Sequence, residues 1–222
     1  MKVVAVVPAY NEEKTVGGVV RSLLPFVQEA VVVDDGSVDG TTREARAGGA
    51  CVVGHMLNRG LGAAIGTGVE AALRDGADIV VTFDADGQHD AKDVSRLIAP
   101  ILEGEADVAI GTRTMDRQLM PGSRRVANWI GNALTFVLFG KWVQDSQSGL
   151  RAFSRQAAED LEIKCDRMEV SSEIVKEIRR HGWRLAEVPI RPVYTDYSMS
   201  KGQGFLVGLK TAGKLLLRRV MG

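Results

Sequence analysis

The chain has 222 residues, with 28 basic and 28 acidic side chains and a hydrophobic share of 45%. This balance is typical of a folded globular chain rather than a disordered one, and the equal charges give no support to a nucleic-acid partner. Aromatic residues make up only 5% of the chain, which argues against a carbohydrate-binding module built on aromatic platforms. The two cysteines, Cys51 and Cys165, show no metal-binding spacing and are expected to be reduced thiols.

The first half of the chain alternates short apolar runs with helical patterns. Strands are predicted for the apolar runs 3–7, 30–33, 50–53, 79–83 and 108–110. Helices are predicted between them, at 12–24, 41–47, 63–74 and 90–102. Runs that are apolar at almost every position are typical of strands buried on both faces of a parallel sheet. The pattern therefore predicts an α/β fold in which helices flank a mostly parallel central sheet.

The second half of the chain is less regular. Helices are predicted at 124–139, 155–161 and 171–180, and a strand at 184–188. No Pro-, Gly- or Ser-rich linker separates the halves, so a single domain is predicted over 1–203, followed by a helix over 204–222. The longest apolar stretch, 126–140, is interrupted by polar residues, so no membrane-spanning helix is predicted. The N-terminal run is too short for a signal peptide.

The predicted helix over 204–222 is basic and amphipathic. Lys210, Lys214 and Arg218 recur every four residues and therefore share one face. Such a helix can lie in a membrane interface, or it can pack on its own domain with the basic side chains outward. The sequence leaves both alternatives open. The first predicts a cytoplasmic protein, peripheral on the cytoplasmic face of a membrane, in contact with lipid or with a membrane-anchored partner.

An acidic loop follows the fourth predicted strand, at the edge where open α/β sheets bind their ligands. It contains Asp84, Asp86 and Gln88. Two carboxylates and an amide at this spacing can converge on one divalent cation, and hard oxygen ligands suit Mg²⁺ or Mn²⁺. The alternative is that both aspartates are turn and helix-cap residues.

Other loop residues also have two interpretations each. Asp35 ends the second strand, where it can accept hydrogen bonds from a base or ribose or simply close a turn. Gly60 and Gly62 precede a helix, where they can bring backbone N–H groups close to a phosphate or form a tight turn. His89 is expected to shape the acidic loop, and His55 is expected to lie at the surface or in a loop.

Four segments, taken together, resemble a known family. They are Pro8-Ala9-Tyr10-Asn11-Glu12 and the segments 31–41, 58–64 and 84–89. In order and spacing they are similar to the inverting glycosyltransferases of family 2, which have the nucleotide-diphospho-sugar transferase (GT-A) fold. The segments 111–113 and 145–153 carry a narrower resemblance to dolichol-phosphate mannose synthases and other polyprenyl-phosphate glycosyltransferases. The resemblance extends over about residues 2–205 and makes 1–203 the expected catalytic domain.

The resemblance implies a role for each matching residue. The nucleoside pocket would be lined by Pro8, Tyr10, Glu12, Val33 and Asp35. The metal and diphosphate site would be formed by Asp84, Ala85, Asp86 and Gln88, with Asp84, Asp86 and Gln88 as ligands of Mg²⁺ or Mn²⁺. The acceptor phosphate and the departing diphosphate would be held by Arg113, by one of Arg124 and Arg125, and by Lys201. The residues expected to act in catalysis are Asp86, Arg113 and Asp145.

The implied reaction moves a hexose, mannose or glucose, from a GDP- or UDP-sugar to a polyprenyl phosphate such as dolichyl phosphate. A phosphate acceptor is already ionised and needs only cationic positioning, whereas a sugar hydroxyl needs a general base. The chain has the basic group Arg113, Arg124 and Arg125 and lacks the Gln-x-x-Arg-Trp motif of processive hydroxyl-acceptor synthases, which favours the phosphate. Thr195 stands where mannose synthases carry an arginine, six residues before Lys201, and this weakens the assignment of mannose.

Two alternatives stay open. In the first, the acceptor is a hydroxyl of a saccharide or small molecule, and Asp145 is the base. In the second, the chain is a non-catalytic subunit that binds a nucleotide sugar. The intact set of Asp84, Asp86 and Gln88 argues against the second alternative, because no implied ligand has been lost.

Overall fold

The computed structural model describes residues 1–113, 143–167, 169–191 and 193. In this part of the chain seven strands form one sheet, accompanied by six helices. The strands are β1 (Val3–Ala9), β2 (Glu29–Asp34), β3 (Cys51–Gly54), β4 (Ile79–Thr82), β5 (Val108–Thr112), β6 (Arg151–Ser154) and β7 (Leu185–Pro189). The helices are α1 (Val16–Leu23), α2 (Thr41–Ala47), α3 (Leu61–Arg74), α4 (Asp93–Leu102), α5 (Arg155–Asp160) and α6 (Val170–His181).

The sheet has the strand order β3-β2-β1-β4-β6-β5-β7. All neighbouring strands are parallel except β6, which runs antiparallel to β4 on one side and to β5 on the other. The prediction of a mostly parallel sheet flanked by helices is therefore confirmed. Because β6 runs in the opposite direction, the segment that precedes it lies at the same edge as the carboxyl ends of β4 and β5. This reversal brings residues 143–150 to the edge that carries the acidic loop.

Both faces of the sheet are buried. Alternate residues of β1 belong to different clusters: Val3, Ala5 and Val7 pack beneath α1, α2 and α4, while Val4 and Val6 pack beneath α3, α5 and α6. The result is a sheet between two helical layers, which explains why the strands are apolar at almost every position. Among the described residues no helix has the length and apolar character needed to cross a bilayer.

Several boundaries differ from those predicted. The helix predicted at 12–24 begins only at Val16 and ends at Leu23, and a turn precedes it in which the N–H groups of Thr15 and Val16 donate to the carbonyl oxygen of Glu12. Strand β6 was not predicted: it has only four residues, and its first is an arginine. The predicted helices at 124–139 and 204–222 lie outside the described residues.

Candidate active site

The loops after β1 and β2 are joined by hydrogen bonds at the carboxyl edge of the sheet. The N–H of Asn11 donates to Ser37 Oγ at 2.9 Å, and the Asn11 side-chain oxygen accepts from the N–H of Val38 at 3.0 Å. Asn11 has a φ of 54°, a left-handed conformation that asparagine tolerates better than most residues. The N–H of Glu12 donates to Thr41 Oγ1 at 2.8 Å. The two loops therefore form one unit.

The residues expected to line a nucleoside pocket lie on or next to this unit. Pro8 pairs with Val33 in the register of β1 and β2, so both lie near the carboxyl ends of their strands. Tyr10 follows β1 and is 45% exposed. Asp35 follows β2 and is buried. The structure thus places these side chains at one corner of the sheet; their contact with a nucleoside remains a prediction.

Asp35 connects the loops after β2 and β3. Its Oδ1 accepts hydrogen bonds from the N–H of Arg59 at 2.9 Å and from His55 Nδ1 at 2.7 Å, and its Oδ2 accepts from the N–H of Gly60 at 2.7 Å. The other ring nitrogen of His55 lies 3.0 Å from Thr67 Oγ1 on α3. His55 lies in the loop after β3, as one of the two expectations had it, but its side chain is only 7% exposed and does not lie at the surface.

Gly60 and Gly62 serve chain packing. A Cβ atom on either residue would collide with the backbone of Cys165 or Asp166, so only glycine lets the start of α3 approach that segment. The N–H groups of Gly62 and Ala63 both donate to the carbonyl oxygen of Asp166, at 2.8 and 3.2 Å. These donors are already used within the chain, so the tight-turn interpretation holds and the phosphate-loop interpretation does not.

The acidic loop begins where β4 ends. Asp86 accepts two hydrogen bonds from Gln88, one from its backbone N–H at 3.0 Å and one from its side-chain amide at 2.6 Å. Asp84 lies 3.0 Å from Nε2 of the buried His89. Ala85, between the two aspartates, is buried and packs in the core. The loop thus orients both carboxylates, and Gln88 in this structure acts as a donor to Asp86.

The two aspartates differ in their pKa values. Burial alone would raise the pKa of Asp84, but the hydrogen bond with His89 and the charges of Arg151 and Arg113 outweigh it, so the pKa is lowered. Burial and the negative charge of Asp84 raise the pKa of Asp86. Adjacent carboxylates with this mutual repulsion are a chemically suitable site for a cation. In the described part of the chain, no group of three or more His, Cys, Asp or Glu side chains is arranged to hold a metal ion.

The segment before β6 meets the acidic loop directly. Gly149 lies so close to Asp84 that a Cβ atom there would collide with both carboxylate oxygens. The carbonyl oxygen of Gly149 accepts a hydrogen bond from Thr82 Oγ1 at 2.9 Å. This pairing holds the segment against the end of β4, and it places Asp145 at the same edge.

Asp145 and Arg113 form a two-point ion pair. Arg113 Nε lies 2.6 Å from Asp145 Oδ2, and Arg113 Nη2 lies 2.8 Å from Asp145 Oδ1. Asp145 is buried, whereas the Arg113 side chain is 21% exposed. The structure therefore brings these two predicted site residues together. Arg124, Arg125, Lys201 and the departure at Thr195 lie outside the described residues.

Arg151 is a charged residue of the site that was not assigned a role from the sequence. It is 1% exposed, and its Nη2 donates to the carbonyl oxygen of Ser146 at 3.2 Å and to Ser171 Oγ at 3.0 Å, while its Nε has no hydrogen-bond partner. Burial lowers the pKa of Arg151 to about 10, and the negative charges of Asp84 and Asp145 oppose that shift. A fully buried cation near two carboxylates compensates their charge.

Comparison with known proteins agrees with this geometry. The profile of glycosyl transferase family 2 matches residues 4–162. The chain belongs to glycosyltransferase family 2. The prediction that it is a glycosyltransferase is thereby confirmed, as is the resemblance to the polyprenyl-phosphate branch, which the relatives below support.

The relatives with named activities include two that act on polyprenyl phosphates by their names. The chain is 35% identical to a UDP-N-acetylglucosamine–dolichyl-phosphate N-acetylglucosaminyltransferase of Methanococcus voltae, over 97% of this chain and 95% of the relative. It is 30% identical to an undecaprenyl-phosphate mannosyltransferase of Micrococcus luteus, over 94% of this chain and 90% of the relative.

Solved structures show the same fold. The glucosyl-3-phosphoglycerate synthase of Mycobacterium tuberculosis superimposes with a TM-score of 0.75 at 25% identity, covering 97% of this chain and 78% of that one. A second structure of that synthase contains Mn²⁺ and UDP-glucose, and it matches with a TM-score of 0.71 at 25% identity, covering 97% of this chain and 76% of that one. The fold predicted from the sequence, GT-A, is confirmed.

Proposed function

We propose that the protein transfers a sugar from a nucleoside-diphosphate donor to a polyprenyl phosphate, with inversion at the anomeric carbon. The observation that carries this proposal is the position of Gly149 against Asp84, since it joins the acidic loop to the segment that holds the Arg113–Asp145 pair. Asp84 and Asp86, whose carboxylates suit a metal–diphosphate complex, therefore lie at the same edge of the sheet as Arg113, a cation that suits a phosphate. The named relatives that act on dolichyl or undecaprenyl phosphate support the same reaction.

The donor would bind along the carboxyl edge of the sheet. Its nucleoside would contact the corner formed by Pro8, Tyr10, Glu12, Val33 and Asp35. Asp84 and Asp86 would hold a divalent cation, with the amide oxygen of Gln88 as a third ligand. When bound, Mg²⁺ or Mn²⁺ would offset the negative charge that develops on the departing diphosphate. The Mn²⁺ and UDP-glucose bound by the solved synthase support such a site.

The acceptor side supports a phosphate rather than a hydroxyl. A polyprenyl phosphate is ionised at neutral pH, so it needs a cation to position it and no base to remove a proton. Arg113 supplies that cation here, together with Arg124 or Arg125 and Lys201 from the sequence. Both oxygens of Asp145 already accept hydrogen bonds from Arg113. We therefore propose that Asp145 orients Arg113 and does not act as a general base.

We propose a UDP-linked sugar as the donor, glucose or N-acetylglucosamine, in preference to GDP-mannose. The relative from Methanococcus voltae is named for UDP-N-acetylglucosamine, and the solved synthase binds UDP-glucose. Thr195, in place of the arginine of mannose synthases, also disfavours mannose. We further propose that the protein acts at the cytoplasmic face of a membrane, where the basic segment 204–222 would approach the lipid headgroups.

A second acceptor class is worth testing because of the structural likeness to glucosyl-3-phosphoglycerate synthase. In that alternative the acceptor is a small phosphorylated acid. The same cations would bind its phosphate, and one of its hydroxyl groups would be the nucleophile that attacks the sugar. Asp145 would then have to leave Arg113 in order to act as a base.

A donor-by-acceptor panel tests the proposal. Radiolabelled UDP-N-acetylglucosamine, UDP-glucose and GDP-mannose are each incubated with dolichyl phosphate, undecaprenyl phosphate or 3-phosphoglycerate, with Mn²⁺, Mg²⁺ or EDTA. We expect label from a UDP-sugar to enter the organic phase only with a polyprenyl phosphate and only with metal. Label that stays in the aqueous phase, attached to 3-phosphoglycerate, would contradict the proposal and favour the second acceptor class.

A further inference from the structure

His55 is turned inward from an exposed loop. Its neighbours Met56 and Leu57 are 100% and 76% exposed, whereas the His55 side chain is 7% exposed. Strands β2 and β3 pair so that Asp34 faces Gly54, and the N–H of His55 donates to the carbonyl oxygen of Asp34 at 2.8 Å. The register of the sheet thus places the ring of His55 beside the carboxylate of Asp35.

The hydrogen bonds of His55 determine which of its nitrogens carries the proton. Asp35 accepts, so Nδ1 carries a hydrogen and donates it at 2.7 Å. In the neutral ring Nε2 is then an acceptor, and it receives the hydroxyl hydrogen of Thr67 at 3.0 Å. Thr67 lies on α3. The chain of contacts Thr67–His55–Asp35 therefore fixes the carboxylate to a helix.

The carboxylate of Asp35 has the capacity to accept one more hydrogen bond. An ionised carboxylate offers about four acceptor directions, and three are used by His55, Arg59 and Gly60. The remaining direction belongs to Oδ2, which accepts only from Gly60 among the described residues. Because an ionised carboxylate only accepts hydrogen bonds, it favours a base that presents an N–H group to it. Uracil presents an N–H at its N3 position, whereas cytosine presents a lone pair there.

We propose that His55 is a positioning residue for donor recognition: with Thr67 it fixes the Asp35 carboxylate so that its free acceptor direction reads an N–H group of the donor base. This inference rests on the proposed function, because it takes Asp35 to face the nucleoside. His55 itself does not touch the substrate. Its effect is on the affinity for the nucleotide and on the preference for uracil over cytosine.

The test is direct binding of UDP and CDP, with Mn²⁺, to the full chain by calorimetry. His55→Leu removes both hydrogen bonds, and we expect it to weaken UDP binding about tenfold while the preference for UDP over CDP shrinks. In His55→Asn the side-chain amide nitrogen takes the place of Nδ1, so UDP binding should stay within about threefold of wild type. His181→Leu, which removes a histidine stacked on Trp183, is the matched control and should bind as wild type does.

The outcomes separate this inference from the proposed function. If His55→Leu binds UDP as tightly as the wild-type protein does, the inference is overturned and the proposed donor site stands. Equal losses for UDP and CDP in both His55 variants also overturn it, because they indicate general damage. A wild-type protein that does not bind UDP overturns both the inference and the proposed UDP-sugar donor. If His55→Leu does not fold, Thr67→Val decides: a smaller loss of UDP preference is expected, and an unchanged preference overturns the inference.

Discussion

Gly149 offers the sharpest single test of the site, because its missing side chain makes room for Asp84. In Gly149→Ala the added methyl carbon and the Asp84 carboxylate would have to separate by about 1 Å to reach the 3.0 Å that such contacts require. Displacing a group of the site by about 1 Å can cost roughly 100-fold in rate. We therefore expect metal-dependent sugar transfer to fall about 100-fold, whereas overpacking should lower the free energy of unfolding by only about 1–3 kcal/mol.

The assay measures initial rates of sugar transfer over a range of Mn²⁺ concentrations, with urea denaturation to show that the variant is folded. Gly66→Ala is the matched control. Gly66 lies on α3, where a Cβ atom meets nothing within 4 Å, so the control should keep its full rate and gain up to about 1 kcal/mol of stability. A Gly149→Ala protein with the wild-type rate and Mn²⁺ dependence would refute the assignment of Asp84 to the metal site.

Three further predictions concern charged residues of the described chain. Asp145→Asn should retain more than about a tenth of the wild-type turnover, since Asp145 orients Arg113 and is not the base that would supply roughly 100-fold or more; kinetics with dolichyl phosphate check this. Arg151→Met should lower the free energy of unfolding in urea by about 1–3 kcal/mol, because the buried carbonyl oxygen of Ser146 and the hydroxyl of Ser171 lose Arg151 as a donor. Arg184 lowers the pKa of Asp107, so their pair stabilises the fold at neutral pH and loses this effect as the pH falls through the lowered value. Asp107→Asn should therefore cost at most about 1 kcal/mol at pH 7, with a smaller difference near pH 3.

Much of the fold was predictable because the signal is local. Strands β1 to β5 are apolar at nearly every position, and the helices between them follow at short distances. Strand β6 escaped prediction because its identity depends on long-range pairing: Arg151 lies opposite Thr82 on one side and Ile110 on the other. From the local sequence alone, a charged residue such as Arg151 in a four-residue segment indicates a surface turn. Only the long-range partners that accept its hydrogen bonds show that the segment is a buried strand.

The site was predictable where the motifs are contiguous and not where contacts join distant segments. Asp84 and Asp86 stand two residues apart and share one loop. His55, in contrast, is 20 residues from Asp35 and 12 from Thr67, and its immediate neighbours are exposed, so the local sequence predicts a surface residue. The collision that identifies Gly149 as a neighbour of Asp84 also joins segments far apart in the chain.

In the proposed reaction the nucleophile is the phosphate of a polyprenyl lipid. The most direct measurement compares dolichyl phosphate with dolichol, at equal concentration, as acceptors for label from UDP-N-acetylglucosamine and UDP-glucose, with Asp86→Ala as the metal-site control. We expect label in the lipid phase with dolichyl phosphate alone, and we expect this label to be lost in EDTA and in Asp86→Ala. Equal labelling of dolichol, or labelling that persists in Asp86→Ala with EDTA, would contradict it.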